Sequence, residues 1–437
     1  MKKLIVPVLI GAFVGVLLAF AFLFVRVKIA DGISGFLSKE RTENAPLSEL
    51  IRSPFAAKTD QYNIPAYESV VPQTGKALRA DLEALKIELF EDGVKVGEHP
   101  IASVGREGTA WQTPVGTFEM SYKKENHFSS IGHVWMPYSM HFFGNYFIHG
   151  WPYYPDGTPV PKGYSGGCIR METIDAQQVY AFVDTETALI VVNPDEETEM
   201  DEAASLVAYD VSESAPALDA YAYLVADLES GQVLAGKNQK VAAGRDFAPI
   251  MTAMISLESL NQYPDVVLDG QLMTVGDVLY ALLLTDSDSA AELLYNRRNH
   301  AQYLIDMDDR AKSIGMTQTV YEDVYGKNEE TVTSLEDTFR LVQYANWYKP
   351  FLIKAMGKSE HVKDDVKFEA IHPLASDNEY VAGYADAENE NVLTIVDVVV
   401  GESGETRTFV VLVEGSKDAG VDSGKLIEWV KASVSAE

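Results

Sequence analysis

Six of the eight residues from Asp195 to Glu202 (Asp195-Glu-Glu-Thr-Glu-Met-Asp-Glu202) are acidic. Like charges at that density repel one another and cannot cover an apolar core, so this stretch cannot belong to a packed unit. It divides the 437-residue chain into two parts, each long enough to bury a core. We read residues 193–218 as an acidic linker, with one globular unit over 82–192 and a second over 219–437.

The same acidity carries an exclusion. Asp and Glu number 65 against 35 Lys and Arg, a formal net charge of −30. Binding a polyanion needs a basic footprint, so nucleic acid is not an expected partner.

The chain opens Met1-Lys2-Lys3, runs through 22 uncharged, mostly apolar residues from Leu4 to Val25, and resumes charge at Arg26 and Lys28. As a helix such a run spans about 33 Å, enough to cross a bilayer core. A cleaved signal peptide has a shorter apolar stretch of about 7–15 residues. Ala19-Phe20-Ala21 offers a nominal cleavage site, but cutting there leaves Phe22-Leu23-Phe24-Val25 as the mature start. Residues 1–26 are therefore expected to be an uncleaved, single-pass membrane anchor, followed by a juxtamembrane spacer over 27–81. The remainder is expected outside the cell membrane, in a periplasm or cell-wall space, with the short N-terminal side cytoplasmic.

Ala84-Leu-Lys-Ile-Glu-Leu-Phe90, then Glu91-Asp92-Gly93, then Val94-Lys-Val96 predicts strand, tight turn, strand. The region to Val192 is aromatic-rich and β-leaning, with a helix over Thr173–Val183 and a closing strand over Ala188–Val192. In the second unit Tyr221–Leu228 and Val233-Leu234 predict another hairpin. Helical patterns follow at Ile250–Leu260, Val275–Leu284, Ala290–Arg297, Gln302–Ile314 and Leu335–Tyr348. Strands return at Leu393–Val400 and Thr408–Val413, before a last helix over Lys425–Val434. The whole predicts a multidomain α+β protein: a mostly-β first unit, then a sheet packed against helices.

Cys168 is the only cysteine. In an oxidising compartment it has no partner within the chain, which leaves a small buried hydrophobe or a working nucleophile. Its setting, Ser165-Gly166-Gly167-Cys168-Ile169-Arg170-Met171, favours the second, because apolar packing asks for neither two glycines nor a nearby cation. A thiol acyl-transfer site also needs a base, an orienter and oxyanion donors. His149 follows Tyr146-Phe147-Ile148 and can serve as base, lowering a thiol pKa that ordinarily lies near about 8.5. Gly150 leaves room beside the ring, and its carbonyl can orient the imidazole. Gly166 and Gly167 let the backbone turn so that the amides of Gly167 and Cys168 can meet one oxygen, with Ser165 beside them. Arg170 can hold a substrate carboxylate. On these residues alone the nucleophile and the structural thiol both stay open.

His149-Gly150, then Ser165-Gly-Gly-Cys-Ile-Arg-Met171 ahead of Asp175 and a helix, resembles the L,D-transpeptidase (YkuD-like) catalytic domain. Thr113-Pro-Val-Gly-Thr-Phe118 and Met136-Pro-Tyr-Ser-Met140 sit where that family carries similar segments. The resemblance implies a mostly-β domain acting on peptidoglycan stem peptides. Its cysteine would attack the L-to-D peptide bond of a tetrapeptide stem, release D-alanine, and pass the thioester to a side-chain amine as a 3→3 cross-link. The family usually has histidine where this chain has Gly166, which puts acceptor choice in question. A reactive thiol in this setting is also expected to be acylated by carbapenems.

Tyr153, Tyr154 and Tyr164, between the two motifs, are candidate lid residues over the donor groove, though aromatics of this stretch could equally fill the β core. His127, His133 and His141 lack metal-ligand spacing, and neither a metal nor an organic cofactor is implied.

Residues 219–435 resemble the serine D,D-carboxypeptidases of the penicillin-binding class, through Tyr223-Leu-Val-Ala-Asp-Leu-Glu-Ser-Gly-Gln-Val-Leu234 and Pro249-Ile-Met-Thr-Ala-Met254. Their motifs are broken here. Asp246 stands at the serine, Pro249 at the lysine, Asp286-Ser287-Asp288 at Ser-x-Asn, and Val381-Ala382-Gly383 at Lys-Thr-Gly. The resemblance implies a catalytically silent unit that binds wall peptides, positions the first unit, or meets cell-wall proteins. Asp286 and Asp288 could hold a cation but read more simply as solvated. An L,D-carboxypeptidase on the same cysteine, or a non-catalytic wall-binding scaffold, are the rival readings.

Overall fold

The computed structural model describes residues 62–63, 70–109, 111–193, 209–240, 245–400 and 404–436. The expected anchor at Leu4–Val25 and the acidic run at 195–202 lie outside them. Among the described residues no helix is long and apolar enough to cross a membrane.

The first described strand, β1 (Tyr62–Asn63), pairs into the second lobe, Tyr62 opposite Val233. The first lobe then begins with β2 (Lys76–Asp81), β3 (Lys86–Glu91) and β4 (Val94–Pro100), and continues through β5 (Gly116–Glu119). Next come β6 (Tyr122–Ser129), β7 (Val134–Phe143), β8 (Tyr146–His149), β9 (Ile169–Arg170), α1 (Thr173–Phe182) and β10 (Ala188–Val192). Two sheets result, in orders β4-β3-β2-β10-β5 and β6-β7-β8-β9. The predicted hairpin turn is present, with Asp92 at φ 50° and Gly93 at φ 74°, as a two-residue turn with both centres left-handed requires. The sheet starts earlier than expected, because β2 lies inside the stretch read as spacer. Its short Lys-Ala-Leu-Arg-Ala-Asp sequence has no strong strand pattern; its pairing with the distant β10, Ala77 opposite Ala188, settles its conformation.

The second lobe contains β11 (Tyr209–Val211), β12 (Ala222–Asp227), β13 (Gln232–Lys237), α2 (Ala248–Ser259), and the hairpin β14 (Asp265–Leu268) with β15 (Gln271–Thr274). It continues as α3 (Val275–Thr285), α4 (Asp288–Tyr295), α5 (His300–Ser313), α6 (Leu335–Tyr348) and α7 (Pro350–Met356). The hairpin β16 (Glu360–Lys363) with β17 (Val366–Glu369) precedes β18 (Tyr380–Ala385), β19 (Val392–Val400), β20 (Glu405–Glu414), α8 (Ala419–Ser433) and β21 (Val434–Ala436). Its six-stranded sheet has the order β1-β13-β12-β20-β19-β18. Side chains alternate across it: Leu224, Ala226, Val410 and Leu412 enter one core, while Tyr223, Val225, Phe409 and Val411 enter the other with Leu426 and Val430 of α8. A sheet covered on both faces reads as unbroken apolar runs rather than alternation. β11, within the stretch read as linker, pairs with β21 and is pinned where Tyr209 donates to Asp227 Oδ2 at 2.6 Å.

The two lobes share one core. Phe118, Phe142, Phe143 and Tyr146 of the first lobe belong to the same buried cluster as Met251, Met254 and Ile314 of the second. At the seam Gly116 has φ 128°, and a Cβ there would lie 2.6 Å from the Ser313 carbonyl oxygen, so only glycine allows the approach. Behind it Glu258 of α2 binds Arg310 of α5, and Lys349 Nζ lies 3.4 Å from the same carboxylate, all three with no side-chain exposure. Two cations face one anion, and each also sends a donor across the seam. Arg310 Nη1 donates to the Val115 carbonyl at 3.3 Å, and Lys349 Nζ to the Gln112 carbonyl at 3.1 Å.

Candidate active site

β8 and β9 run parallel, with Ile148 opposite Ile169 and His149 opposite Arg170. Strand alternation sends Ile148 and Ile169, both fully buried, into the core, and turns His149 and Arg170 to the other face. Cys168 directly precedes β9, and its Sγ meets the backbone of the segment that leads into His149, between the Asn145 carbonyl and the Phe147 amide. The Met171 amide donating to the His149 carbonyl at 2.9 Å fastens the pair of segments.

His149 is buried, and its Nδ1 donates to the Gly150 carbonyl at 2.7 Å. A carbonyl can only accept, so Nδ1 carries the proton and Nε2 is the free basic nitrogen. Burial pushes the imidazole down to about 4, the Gly150 bond partly opposing it. Burial likewise pushes the Cys168 thiol up to about 11, against an amide hydrogen bond from Phe147 and the Arg170 charge. The expectation of a thiol lowered by its histidine is therefore overturned. The base is oriented by a neutral carbonyl, with no carboxylate bonded to it among the described residues, and both groups rest neutral.

The Gly-Gly-Cys turn is held from inside. Ser165 Oγ donates to the Cys168 carbonyl at 2.5 Å and accepts from the Gly167 amide at 3.0 Å. Ser165 and Gly167 were expected to face substrate, and here they bind each other. The Cys168 amide remains as the candidate oxyanion donor. Gly167 has φ 101°, and a Cβ on it would come within 2.2 Å of Tyr146 Cε1. Gly166 is exposed, and a Cβ there meets nothing nearer than Trp111 Cε3 at 3.9 Å, so a side chain would fit.

Arg170 Nη1 donates to the Tyr164 carbonyl at 3.3 Å, and the guanidinium lies 5.9 Å from the Trp151 ring. Its Nε is buried without a partner, as is Oγ of Ser103, the residue bridged to Arg170 across the adjoining segment. Of the three expected lid tyrosines, Tyr153 is fixed to the sheet through paired backbone bonds with Trp135 of 2.8 and 3.0 Å. Tyr154 and Tyr164 stand exposed at 39% and 68%, and only they suit a lid. His127 stacks on Phe147 at 4.8 Å and His141 on Tyr122 at 4.6 Å, while His133 is exposed. Among the described residues no group of three His, Cys, Asp or Glu is placed to hold a metal.

Sequence reasoning missed Asn145, whose carbonyl lies 3.7 Å from Cys168 Sγ and accepts from the thiol. It missed Ser103 and Trp111 as well. Gly144-Asn145 between two apolar runs is a readable hairpin turn, but nothing local announces where its side chain goes.

In the second lobe the positions that depart from the D,D-peptidase motifs make internal contacts. Pro249 is fully buried in the first turn of α2. Ser287 Oγ accepts from the Ala290 amide as the N-cap of α4. Asp288 pairs with Lys327 at 2.5 Å, and Asp286 accepts from the Tyr384 hydroxyl and the Ala387 amide. Burial lifts Asp286 to about 6 and raises Asp246 too. Both Asp286 and Asp288 thus have protein partners rather than bare solvation.

Residues 75–192 match the family model of the L,D-transpeptidase catalytic domain, YkuD. No curated protein matches the chain. Among solved structures, penicillin-binding protein D2 from Listeria monocytogenes in its ampicillin-bound form is 21% identical, covering 50% of this chain and 99% of its own at a TM-score of 0.43. A D-alanyl-D-alanine carboxypeptidase from Mycobacterium tuberculosis is 21% identical, covering 51% and 94% at 0.44. Penicillin-binding protein 6B from Escherichia coli is 16% identical, covering 50% and 79% at 0.42.

Proposed function

We propose that this protein is a peptidoglycan L,D-transpeptidase that works through a Cys168 thioester and forms 3→3 cross-links outside the cell membrane. The observation that carries the reading is the parallel β8/β9 register. It sets His149 beside Arg170, with Cys168 the residue just before β9, within the segment that matches the transpeptidase family.

Because thiol and imidazole rest neutral, the proton must move as attack occurs. The Cys168 proton passes to His149 Nε2 while sulfur bonds the carbonyl carbon at the L-to-D junction of the stem. The oxyanion takes the Cys168 amide. The C–N bond then breaks, and His149 returns its proton to the departing D-alanine amine. A side-chain amine of a second stem attacks the thioester, gives a proton to His149 and forms the new amide, and the sulfur leaves to be reprotonated. Arg170 Nε and Ser103 Oγ, buried and unpartnered, suit a donor-stem carboxylate or peptide oxygen. No metal or cofactor has a part in this sequence.

Cys168→Ala must abolish D-alanine release from tetrapeptide stems, and a carbapenem adduct seen by intact-protein mass spectrometry must disappear with it. Retained release would remove the proposal. One observation favours a second reading, an L,D-carboxypeptidase with water as acceptor: the open space at Gly166. Tripeptide alone as product supports hydrolysis; cross-linked dimers support transfer. The membrane anchor at residues 1–26 and wall partners for the second lobe belong to the same proposal. Membrane fractionation of the full chain and of a chain starting after Arg26 tests the anchor.

A further inference from the structure

Ser259 ends α2, and the last carbonyls of a helix have no partner within it. Gln262 Nε2 bonds the Ser256, Leu257 and Leu260 carbonyls. The Ser259 carbonyl is taken instead by the first lobe: Asn145 Nδ2 donates to it at 2.5 Å. The backbone carbonyl of that same Asn145 faces Cys168 Sγ at 3.7 Å. The next residue, Tyr146, is the floor under Gly167.

We infer that Asn145 is a positioning residue through which the second lobe sets the state of the Cys168 thiol. The Ser259 carbonyl fixes the Asn145 side chain, and the fixed residue aims its own carbonyl at the sulfur. A carbonyl so aimed accepts from S–H and opposes a thiolate, so it holds the thiol protonated and in one orientation. The silent lobe thereby acts on the chemistry through one side chain rather than by contact with substrate. The inference rests on Cys168 being the reactive group of the proposed transpeptidase, but its test does not require turnover.

The experiment is the rate of iodoacetamide alkylation of Cys168 in the full chain between pH 7 and 9.5. Asn145→Ala removes the anchor and is expected to raise the rate at each pH by about 3–10-fold, because losing one such hydrogen bond lowers a thiol pKa by roughly 0.5–1 unit. Tyr344→Phe removes the 3.5 Å bond from Tyr344 to the Val115 carbonyl at the same seam, and must leave the rate unchanged. Asn145→Gln, which keeps an amide donor, is expected to stay near the wild-type rate. If the alanine chain does not fold, Asn145→Ser carries the comparison, its hydroxyl being too short to reach Ser259. A wild-type rate in Asn145→Ala, or an equal rise in Tyr344→Phe, overturns the inference. Failure of Cys168-dependent D-alanine release with the alkylation shift intact would sink the transpeptidase reading alone.

Discussion

Arg310 meets Glu258 with neither side chain exposed, Nη2 lying 2.9 Å from each carboxylate oxygen and Nε 3.1 Å from one. The same guanidinium sits 4.4 Å from the Phe143 ring of the other lobe. Both partners come from the second lobe, and the guanidinium reaches into the first.

Glu258→Gln leaves Arg310 and Lys349 buried without a counter-charge. The expected loss is about 3–5 kcal/mol, as for other broken buried pairs. Differential scanning calorimetry should show both lobes melting in one lowered transition. Two separate transitions in the wild-type chain would refute the shared core.

Gly167→Ala is expected to cut D-alanine release by about 100-fold or more. Alanine at φ 101° is strained, and its methyl would meet Tyr146, displacing the neighbouring sulfur by a distance that costs about that much in rate. Steady-state kinetics on a folded variant checks this.

Acid should weaken the fold through His149. Its folded pKa, about 4, lies below the unfolded value of 6.5, so the unfolded chain binds more protons in that window. Stability from the neutral ring is complete above pH 6.5 and falls by about 3 kcal/mol as pH drops toward 4. Denaturant titrations at several pH values should show that slope reduced in His149→Asn. For the same reason the acid limb of kcat/KM should fall near pH 4 rather than 6.5.

Gly166→His should fit without refolding the turn, given the free space at that position. If the missing histidine governs acceptor choice, product analysis will show the ratio of dimer to tripeptide rising. An unchanged ratio would separate Gly166 from acceptor selection.

The candidate site was readable because its residues sit in seven contiguous positions plus His149, and the β3–β4 turn and the long helices were readable because they announce themselves locally. The short elements were not readable. β2 and β11 owe their conformations to distant partners, Ala188 for Ala77 and Val434 for Val211. Nor could sequence give the protonation of the site. A lone cysteine near a histidine suggests an ion pair, and only burial with a carbonyl orienter shows otherwise. The roles of Ser165 and Gly167 changed for a similar reason, since a serine two residues before a glycine amide is close enough to satisfy it internally.

Because Phe118, Phe143 and Tyr146 pack into the same interior as Met251 and Ile314, peptide-bond cleavage within residues 194–208 would not by itself release two proteins. The fragments should co-purify as a nicked whole and dissociate only under denaturant. A shortened version ending near residue 193 would expose that aromatic surface to water, and insolubility is its expected fate.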